Sequence, residues 1–319
     1  MHTVDIIVGM LGSTIRLSIP LIFTALAGLF SERSGIFDIG LEGKMLASAF
    51  ASAVVAYYTG SPWLGLLGGI LVSILFSLVH GYASITARGN QIVSGVALNF
   101  VAAGLTVVLG NAWFRQGGRT PQLANTARFT EIEFPGAEAA REMGFLGKFY
   151  ADVISGQNVL VYLAFITVPI VWWVIYKTRF GLRLRAVGEN PEAARHAGIP
   201  VTATFLRVAL LSGGLAGLAG VGEVAGLKGY LTADLSPGFG YAGIVVAMLA
   251  GLSPVGAVVA ALFIAGVFVG ADSMSRAIGV SNYLADLVVA TSLICVLVSG
   301  LFVRFKVRIV RPGTGRGTA

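Results

Sequence analysis

The 319-residue sequence is poor in charged residues, in cysteine and in histidine. Charged side chains make up 12% of the chain, about half of the ~25% that is usual in soluble proteins. The single cysteine, Cys295, lies in an apolar stretch, which excludes a disulfide framework and a cysteine metal site. The sequence also has no phosphate-binding P-loop, no HExxH zinc pair and no G-x-S-x-G nucleophile elbow. These absences argue against an enzyme, against a metal site and against nucleotide hydrolysis in this chain.

Apolar residues and glycine dominate the composition. Hydrophobic residues account for 56% of the chain, the mean hydropathy is +0.84, and there are 43 glycines. Glycines four residues apart, such as Gly213 and Gly217, are typical of membrane helices that pack closely. The net charge of +7 would suggest nucleic acid as the partner of a soluble protein, but basic cytoplasmic loops account for it in a membrane protein. We therefore expect a polytopic integral membrane protein that binds no nucleic acid.

The apolar stretches predict an all-α bundle of transmembrane helices. Stretches of spanning length occupy residues 44–59, 62–87, 91–114, 158–176, 204–226, 255–274 and 281–303. The first stretch, 4–30, is interrupted by Arg16 and Pro20, so it forms either one kinked span or a surface helix followed by a span. Residues 241–252 are apolar but only about half as long as a span, which predicts a re-entrant or half-length helix. In total we expect about 8–10 membrane helices in a single domain, residues 1–319.

The distribution of lysine and arginine predicts which loops face the cytoplasm. Residues 177–207 hold six of the 22 basic residues, and the tail 304–319 holds five more. Because cytoplasmic segments are enriched in these residues, we place the loop 177–203 and the basic tail in the cytoplasm. The long loop 115–157 has five basic and five acidic residues, which fits the extracytoplasmic side. Because successive spans cross the membrane in alternate directions, this assignment places the N-terminus outside unless residues 1–30 fold back.

A short helix outside the membrane is predicted within the cytoplasmic loop. Asn190 can cap its N-terminus, Pro191 suits the first helical position, and Gly198 supplies a left-handed stop. Glu192 lies near the positive end of the helix dipole. A helix of about seven residues is roughly 10 Å long, far too short to cross a bilayer. The signals at both ends indicate a rigid element that projects from the membrane.

Several polar residues are predicted to lie at membrane depth, where their burial is costly and often linked to function. The candidates for a polar path are Asp38, Glu42, Asn99 and Glu223. If the last three converge, they form a lining that can hydrogen-bond the hydroxyl groups of a polar solute. The alternative is a structural role, which for Glu42 and Glu223 would require a cation such as Lys44 or Lys228 close by. For Asp272 and Asp286, a structural hydrogen bond or an interfacial position is favoured over a functional role.

Three stretches of the sequence resemble one family of membrane proteins. They are FSERSGIFDIGLEGKMLASAF, GLRLRAVGENPEAARHAGI and LSPGFGYAGIVVAMLAGLSPVGAVVAAL, in this order. Together they resemble the membrane subunit of an ATP-binding-cassette (ABC) importer, in the branch for simple sugars, nucleosides and branched-chain amino acids. The resemblance extends from about residue 9 to residue 305, and the E-R-S-G-x-x-(N/D)-I-G-x-E-G run is most similar to permeases that transport purine nucleosides and work with basic-membrane lipoproteins. Asp38 departs from that pattern, in which asparagine is more frequent.

The resemblance implies a permease subunit with no covalent chemistry and no cofactor of its own. ATP and magnesium would bind to separate ATPase subunits, and the short helix would dock in a cleft of an ATPase as a coupling helix. The residues implied in this docking are Glu189, Asn190, Pro191, Glu192, Ala193, Ala194, Arg195 and Gly198. The other implied partners are a second permease, homologous or identical, an extracytoplasmic substrate-binding lipoprotein and the lipid bilayer of the bacterial inner membrane.

The side chains of the short helix fit such a docking role. Glu189 and Glu192 can pair with basic groups of an ATPase, and Ala193, Ala194 and Ala197 would present an even face to it. The alternative from another class is an ion-coupled secondary transporter, which would use the buried acids to carry protons or sodium. Such a transporter would have no need of a projecting helix. The sequence leaves the solute open between a nucleoside, a sugar and another small polar molecule.

Overall fold

The computed structural model describes residues 2–232, 238–279, 281 and 283–304. These residues are almost entirely helical. The strands among them form one short antiparallel ribbon, in which β1 (Glu131–Ile132) pairs with β2 (Gln157–Asn158). The predicted all-α fold is therefore confirmed. The predicted basic tail, 304–319, lies outside the described residues except for Arg304.

The described part of the chain forms thirteen α-helices. In chain order they are α1 His2–Arg33, α2 Leu41–Thr59, α3 Pro62–Gly81, α4 Gln91–Phe114, α5 Ala137–Ala140, α6 Gly144–Phe149, α7 Val159–Lys177, α8 Arg179–Glu189, α9 Pro191–His196, α10 Val201–Val221, α11 Phe239–Leu249, α12 Pro254–Ile278 and α13 Tyr283–Arg304. Three of them, α3, α6 and α10, continue directly into π-helical segments, which are Tyr82–Thr86, Tyr150–Ile154 and Gly222–Lys228. The turns of a π-helix are wider because its hydrogen bonds join residues five apart.

Six helical segments in the described residues are long and apolar enough to cross a membrane. They are Val4–Arg33, Pro62–Thr86, Gln91–Phe114, Val159–Lys177, Val201–Lys228 and Pro254–Ile278. Two further predicted spans correspond to α2 and α13. The 19 residues of α2 include Glu42 and Lys44 near its start, and these two charges lower its mean hydropathy. The half-length element predicted at 241–252 is confirmed as α11, whose 11 residues extend about 16 Å.

Helix α1 is one continuous helix of 32 residues that includes Pro20. Of the two interpretations of residues 4–30, a single span is therefore the correct one. Near the start of α1, Asp5 forms an ion pair with Lys148. Lys148 belongs to the segment between α4 and α7, residues 115–158, which we call the α4–α7 segment. The N-terminal end of α1 thus lies at the same end of the bundle as this segment.

The core is built from two groups of helices that share α10. Helix α1 packs against α10, α11 and α12, and its Phe23 is fully buried. Helix α2 packs against α3, α4 and α10. Where α10 crosses α3, a Cβ atom added at Gly213 would lie 2.9 Å from Cα of Ile74, and one added at Gly217 would lie 2.9 Å from Cα of Ile70. The close packing predicted from the spacing of these glycines is confirmed for this pair of helices.

Candidate functional site

A buried ion pair lies at the start of α2. Lys44 Nζ donates a hydrogen bond to Asp38 Oδ2, and the two side chains are only 0% and 3% exposed. Asp38 belongs to the connection between α1 and α2, in which Ser34, Ile36 and Asp38 are buried while Gly35 and Phe37 are exposed. A buried charge is tolerated when it has a close partner of opposite sign. Asp38 therefore has the cation that a structural role requires.

Polar contacts connect this ion pair to four further helices. Ser31 of α1 lies 3.5 Å from Asp38 Oδ2 and donates to Ser212 of α10 at 3.2 Å. His80 of α3 places Nε2 3.7 Å from Asp38 Oδ1, and its Nδ1 is hydrogen-bonded to Ser94 of α4 at 3.1 Å. His80 thus makes the hydrogen-bonded packing contact expected of a single histidine in an apolar helix. The cluster holds α1, α2, α3, α4 and α10 together at one depth.

Asn99 joins α4 to the start of α2 and to α11. Its Oδ1 accepts a hydrogen bond from the amide of Gly43 at 2.7 Å. Its Nδ2 donates to the carbonyl oxygen of Ile39 at 3.0 Å and to the hydroxyl of Tyr241 at 2.8 Å. A Cβ atom at Gly43 would come within 2.8 Å of Cα of Asn99, so this close approach depends on glycine. Because Tyr241 is 44% exposed, this network extends from the buried cluster to the surface of the chain.

Glu42 holds the N-terminus of α11. Its Oε2 accepts a hydrogen bond from the amide of Gly240 at 2.6 Å, and its Oε1 accepts one from Gly238 at 3.4 Å. A carboxylate is stabilised at a helix N-terminus because it accepts from amides that lack helical partners and faces the positive end of the dipole. The half-length helix thus begins at a carboxylate of α2 inside the bundle.

Glu223 lies in the π-helical segment that follows α10 and is fully buried. Lys228 Nζ lies 3.8 Å from its Oε2, and Glu42 is an electrostatic neighbour. Neither carboxylate oxygen of Glu223 accepts a hydrogen bond from any described residue. Buried polar atoms without such partners are uncommon in proteins. Asp38 Oδ1 is also without one, whereas in Glu223 both carboxylate oxygens can accept further hydrogen bonds.

The four predicted path residues meet around the first turns of α2. Glu42 and Asn99 converge there directly, Asp38 lies just before them, and Glu223 approaches from the end of α10. Tyr241 also belongs to this network, but it was not predicted from the sequence. Its position at the start of a half-length helix, with an aromatic hydroxyl, was the available signal. The cations that a structural role would require, Lys44 and Lys228, are also present. The arrangement therefore combines a polar lining with internal charge pairing.

The short helix predicted outside the membrane is present as α9. The side chain of Asn190 accepts hydrogen bonds from the amides of Glu192 and Ala193 at 3.1 and 3.0 Å. Pro191 occupies the first helical position, and Gly198 follows the helix with φ of +77°. The predicted caps are confirmed at both ends. Most of the residues assigned to docking are exposed: Glu189, Asn190, Pro191, Glu192, Ala193, Arg195 and Gly198.

Two features of this region differ from the sequence prediction. Ala194 is only 4% exposed and packs against Val187 and Val201, so the prediction that it belongs to an even outer face is wrong. It instead holds α9 against the bundle. The loop 177–203 also contains α8, which was not predicted. Its buried residues recur every third position, at Gly181, Leu184 and Val187, and this spacing was the available signal.

The end of α8 touches the end of α1 through backbone atoms. A Cβ atom added at Gly188 would lie 3.0 Å from the carbonyl carbon of Arg33 and 3.2 Å from that of Ser34. The Arg33 guanidinium donates hydrogen bonds to the hydroxyl of Tyr176 at 3.2 Å and to the carbonyl oxygen of Leu252 at 2.9 Å. The region next to α9 is thereby attached to α1, α7 and the α11–α12 turn.

The sequence matches the profile of a permease family, the permease component of branched-chain amino acid transport systems, over residues 10–297. The chain belongs to this family. It is a multi-pass membrane protein and the permease subunit of an ABC transporter, a transport component rather than an enzyme.

Several relatives are similar over most of their length. The chain is 36% identical over 251 residues to the nucleoside ABC transporter permease protein NupC of Lactococcus lactis, and the aligned region covers 77% of this chain and 76% of that protein. It is 36% identical over 270 residues to the guanosine ABC transporter permease protein NupQ of Bacillus subtilis, covering 82% of both. It is 33% identical over 309 residues to the glucose ABC transporter permease protein TsgB13 of Haloferax volcanii, covering 92% of this chain and 77% of that protein.

Proposed function

We propose that this permease forms the translocation path of an importer for a nucleoside or a simple sugar. The observation that carries the proposal is the similarity to NupC, NupQ and TsgB13, which are named for nucleoside, guanosine and glucose. All three names describe solutes rich in hydroxyl groups. Solutes of this kind are bound by hydrogen-bonding side chains, and the cluster around the start of α2 supplies carboxylate, amide and phenol groups.

The proposal assigns the energy source to other subunits. ATP and magnesium bind to two ATPase subunits, and α9 docks on an ATPase as the coupling helix. The exposed acids Glu192 of α9 and Glu189, the last residue of α8, face that partner. The assembly also contains a second permease, homologous or identical, and an extracytoplasmic substrate-binding lipoprotein, in the bacterial inner membrane. Residues 1–319 act as one permease domain.

Asp38, Glu42, Asn99 and Glu223 are proposed to act in the path in different ways. Glu42 and Asn99 fix the start of α11, and their polar side chains line the path beside it. Glu223 accepts hydrogen bonds from solute hydroxyl groups, since its oxygens receive none from the described residues. Asp38 and Lys44 hold the start of α2 in place beneath them.

Reconstitution with purified partner subunits tests the proposal. Proteoliposomes that contain this chain, its partner permease and the ATPase subunits are expected to accumulate labelled guanosine or glucose only when ATP and the binding protein are both supplied. The reason is that this chain has no nucleotide site of its own. Uptake is measured by filtration, with ionophores added in a parallel sample. Uptake that follows an ion gradient without the ATPase subunits would instead support a secondary transporter.

The proposed orientation is tested by labelling single cysteines in a Cys295→Ser background, which removes the native thiol. Cysteines at Thr126 and Met143, both exposed in the α4–α7 segment, are expected to react with a membrane-impermeant thiol reagent in intact spheroplasts. A cysteine at Ala193 on α9 is expected to react only after the membrane is opened, because α9 lies in the cytoplasm under the proposal. The reverse labelling pattern would contradict the orientation. Mass spectrometry of the labelled peptides gives the result.

A further inference from the structure

The α4–α7 segment is hydrogen-bonded to the π-helical segment that ends α10. Three of its donors reach three successive carbonyl oxygens: Phe129 N to Ala225 at 3.0 Å, Asn158 Nδ2 to Gly226 at 2.9 Å, and Arg128 Nη2 to Leu227 at 2.8 Å. Carbonyl oxygens at the end of a helix lack partners within the helix. Here the α4–α7 segment supplies those partners, so its position and the shape of the π-helical segment depend on each other.

Arg128 makes the most extensive of these contacts. Its guanidinium lies against Gly229, where an added Cβ atom would come within 2.8 Å of the guanidinium carbon. Gly229 also has φ of +78°, a conformation that favours glycine. On its other side Arg128 borders a cavity of about 490 Å³, which Arg16 and Asn125 also line. Arg128 is therefore held by the end of the π-helical segment and has open space beside it.

The ion pair between Glu223 and Lys228 depends on the π-helical turn. The two residues are five apart, and they approach to 3.8 Å within the segment Gly222–Lys228. In an α-helix, residues five apart point about 140° away from each other around the axis. In a π-helix, hydrogen bonds join residues five apart, so their side chains share one face. A change from π-helical to α-helical turns would separate the carboxylate from its cation.

We infer that Arg128 is a positioning residue that acts through the π-helical segment on Glu223. The inference rests on the proposed function, in which the α4–α7 segment lies on the extracytoplasmic side, where the binding protein docks, and Glu223 faces the solute. Docking of the binding protein shifts the segment, and the hydrogen bonds to the carbonyl oxygens of residues 225–227 transmit the shift. The shift changes the distance between Glu223 and Lys228.

This coupling has a direct consequence for solute binding. A buried carboxylate separated from its cation is destabilised unless it gains other partners. Glu223 gains them when hydroxyl groups of a solute donate to its oxygens, which accept no hydrogen bond from the described residues. The path therefore presents its strongest acceptor when the binding protein is docked and ready to release the solute.

The test uses the reconstituted complex and compares two arginines of the same segment. Arg128→Ala is expected to lower binding-protein-stimulated uptake about tenfold, a typical coupling effect, while ATP hydrolysis without the binding protein stays at the wild-type level. Arg128→Lys keeps a donor for the carbonyl oxygen and is expected to retain most of the uptake. Arg141→Ala is the matched control, since Arg141 is 46% exposed and pairs with Asp152 and Glu133 of its own segment.

Asn158→Asp provides a second variant that keeps the N-terminal cap of α7. An aspartate still caps α7, where Asn158 Oδ1 now accepts from Leu160 and Val161. It loses the donor to the carbonyl oxygen of Gly226, so we expect the same selective loss of stimulated uptake. If Arg128→Ala does not assemble with the partner subunits, this variant alone tests whether the hydrogen bonds to the π-helical segment are needed for stimulated uptake.

A double variant tests whether the effect passes through Glu223. If it does, Arg128→Ala added to Glu223→Gln lowers uptake no further than Glu223→Gln alone. Additive losses would overturn the inference, as would losses in Arg128→Ala and Asn158→Asp no larger than in Arg141→Ala. In either case an active wild-type complex leaves the proposed function intact. A wild-type complex without ATP-driven uptake would instead refute the proposed function and the inference with it.

Discussion

Gly198→Val combined with Glu192→Lys is expected to abolish substrate-stimulated ATP hydrolysis while the permease still inserts into the membrane. Gly198 has φ of +77°, and a β-branched residue in this conformation is strained by about 1–2 kcal/mol or more. Apart from its chain neighbours, no described residue has an atom within 4 Å of a Cβ placed there, so the strain comes from the backbone conformation. Lysine at position 192 opposes the helix dipole and repels a basic partner. Both effects are confined to α9 and leave the membrane helices unchanged.

Co-purification with the ATPase subunits and hydrolysis in proteoliposomes measure this effect. The matched control is Gly198→Asn with Glu192→Gln, because asparagine tolerates the left-handed conformation and glutamine removes the charge without reversing it. The control is expected to keep most of the ATPase binding. If the first double variant co-purifies with the ATPase and hydrolyses ATP normally, α9 is not the docking element.

Lys44→Met is expected to destabilise the permease by about 3–5 kcal/mol, the usual effect of removing one partner from a buried ion pair. The Lys44 side chain is fully buried and Asp38 is 3% exposed, so the remaining carboxylate would be left without its cation. Asp38→Asn added to Lys44→Met removes that stranded charge and is expected to restore much of the stability. Asparagine also keeps an acceptor near Ser31.

Thermal stability in detergent, followed by size-exclusion chromatography of heated samples, measures this series. Arg276→Gln serves as the control because Arg276 and Asp272 form an exposed pair, with side chains 71% and 51% exposed. Exposed pairs contribute roughly 0–1 kcal/mol, so the control is expected to remain close to the wild type. Equal stability of Lys44→Met and the wild type would show that Asp38 is satisfied without Lys44.

Local features of the structure were predictable from the sequence because short-range rules determine them. The caps of α9 follow from the side chain of Asn190 and the conformational freedom of Gly198, and neither depends on the rest of the fold. The half-length helix follows from the length of one apolar stretch between glycine and proline. The long apolar helices are likewise set by the thickness of a bilayer.

Features that depend on distant contacts were not predictable in the same way. The partner of Asp38 follows from how the connection between α1 and α2 turns into the bundle, which no local pattern encodes. The pair between Glu223 and Lys228 requires π-helical turns, whereas a sequence read with α-helical spacing places these residues on different faces. Helix α8 was missed because its three arginines, Arg179, Arg183 and Arg185, are typical of a solvated cytoplasmic loop, whereas its buried residues form only a narrow stripe.

The contact at Gly188 determines how stiffly α9 is joined to the membrane helices. Side chains absorb small displacements by changing rotamer, but the atoms nearest to Gly188 at the end of α8 are backbone atoms of Arg33 and Ser34. The contact between the end of α8 and the end of α1 is therefore stiff when the two helices are pressed together. A push on α9 toward the membrane passes to α1 and to the connection that carries Asp38 before any side chain has to rearrange. When α9 is pulled away, this backbone contact opens and the contacts of Arg33 and the cluster of Val187, Ala194 and Val201 resist instead, so the connection responds differently to a push and to a pull.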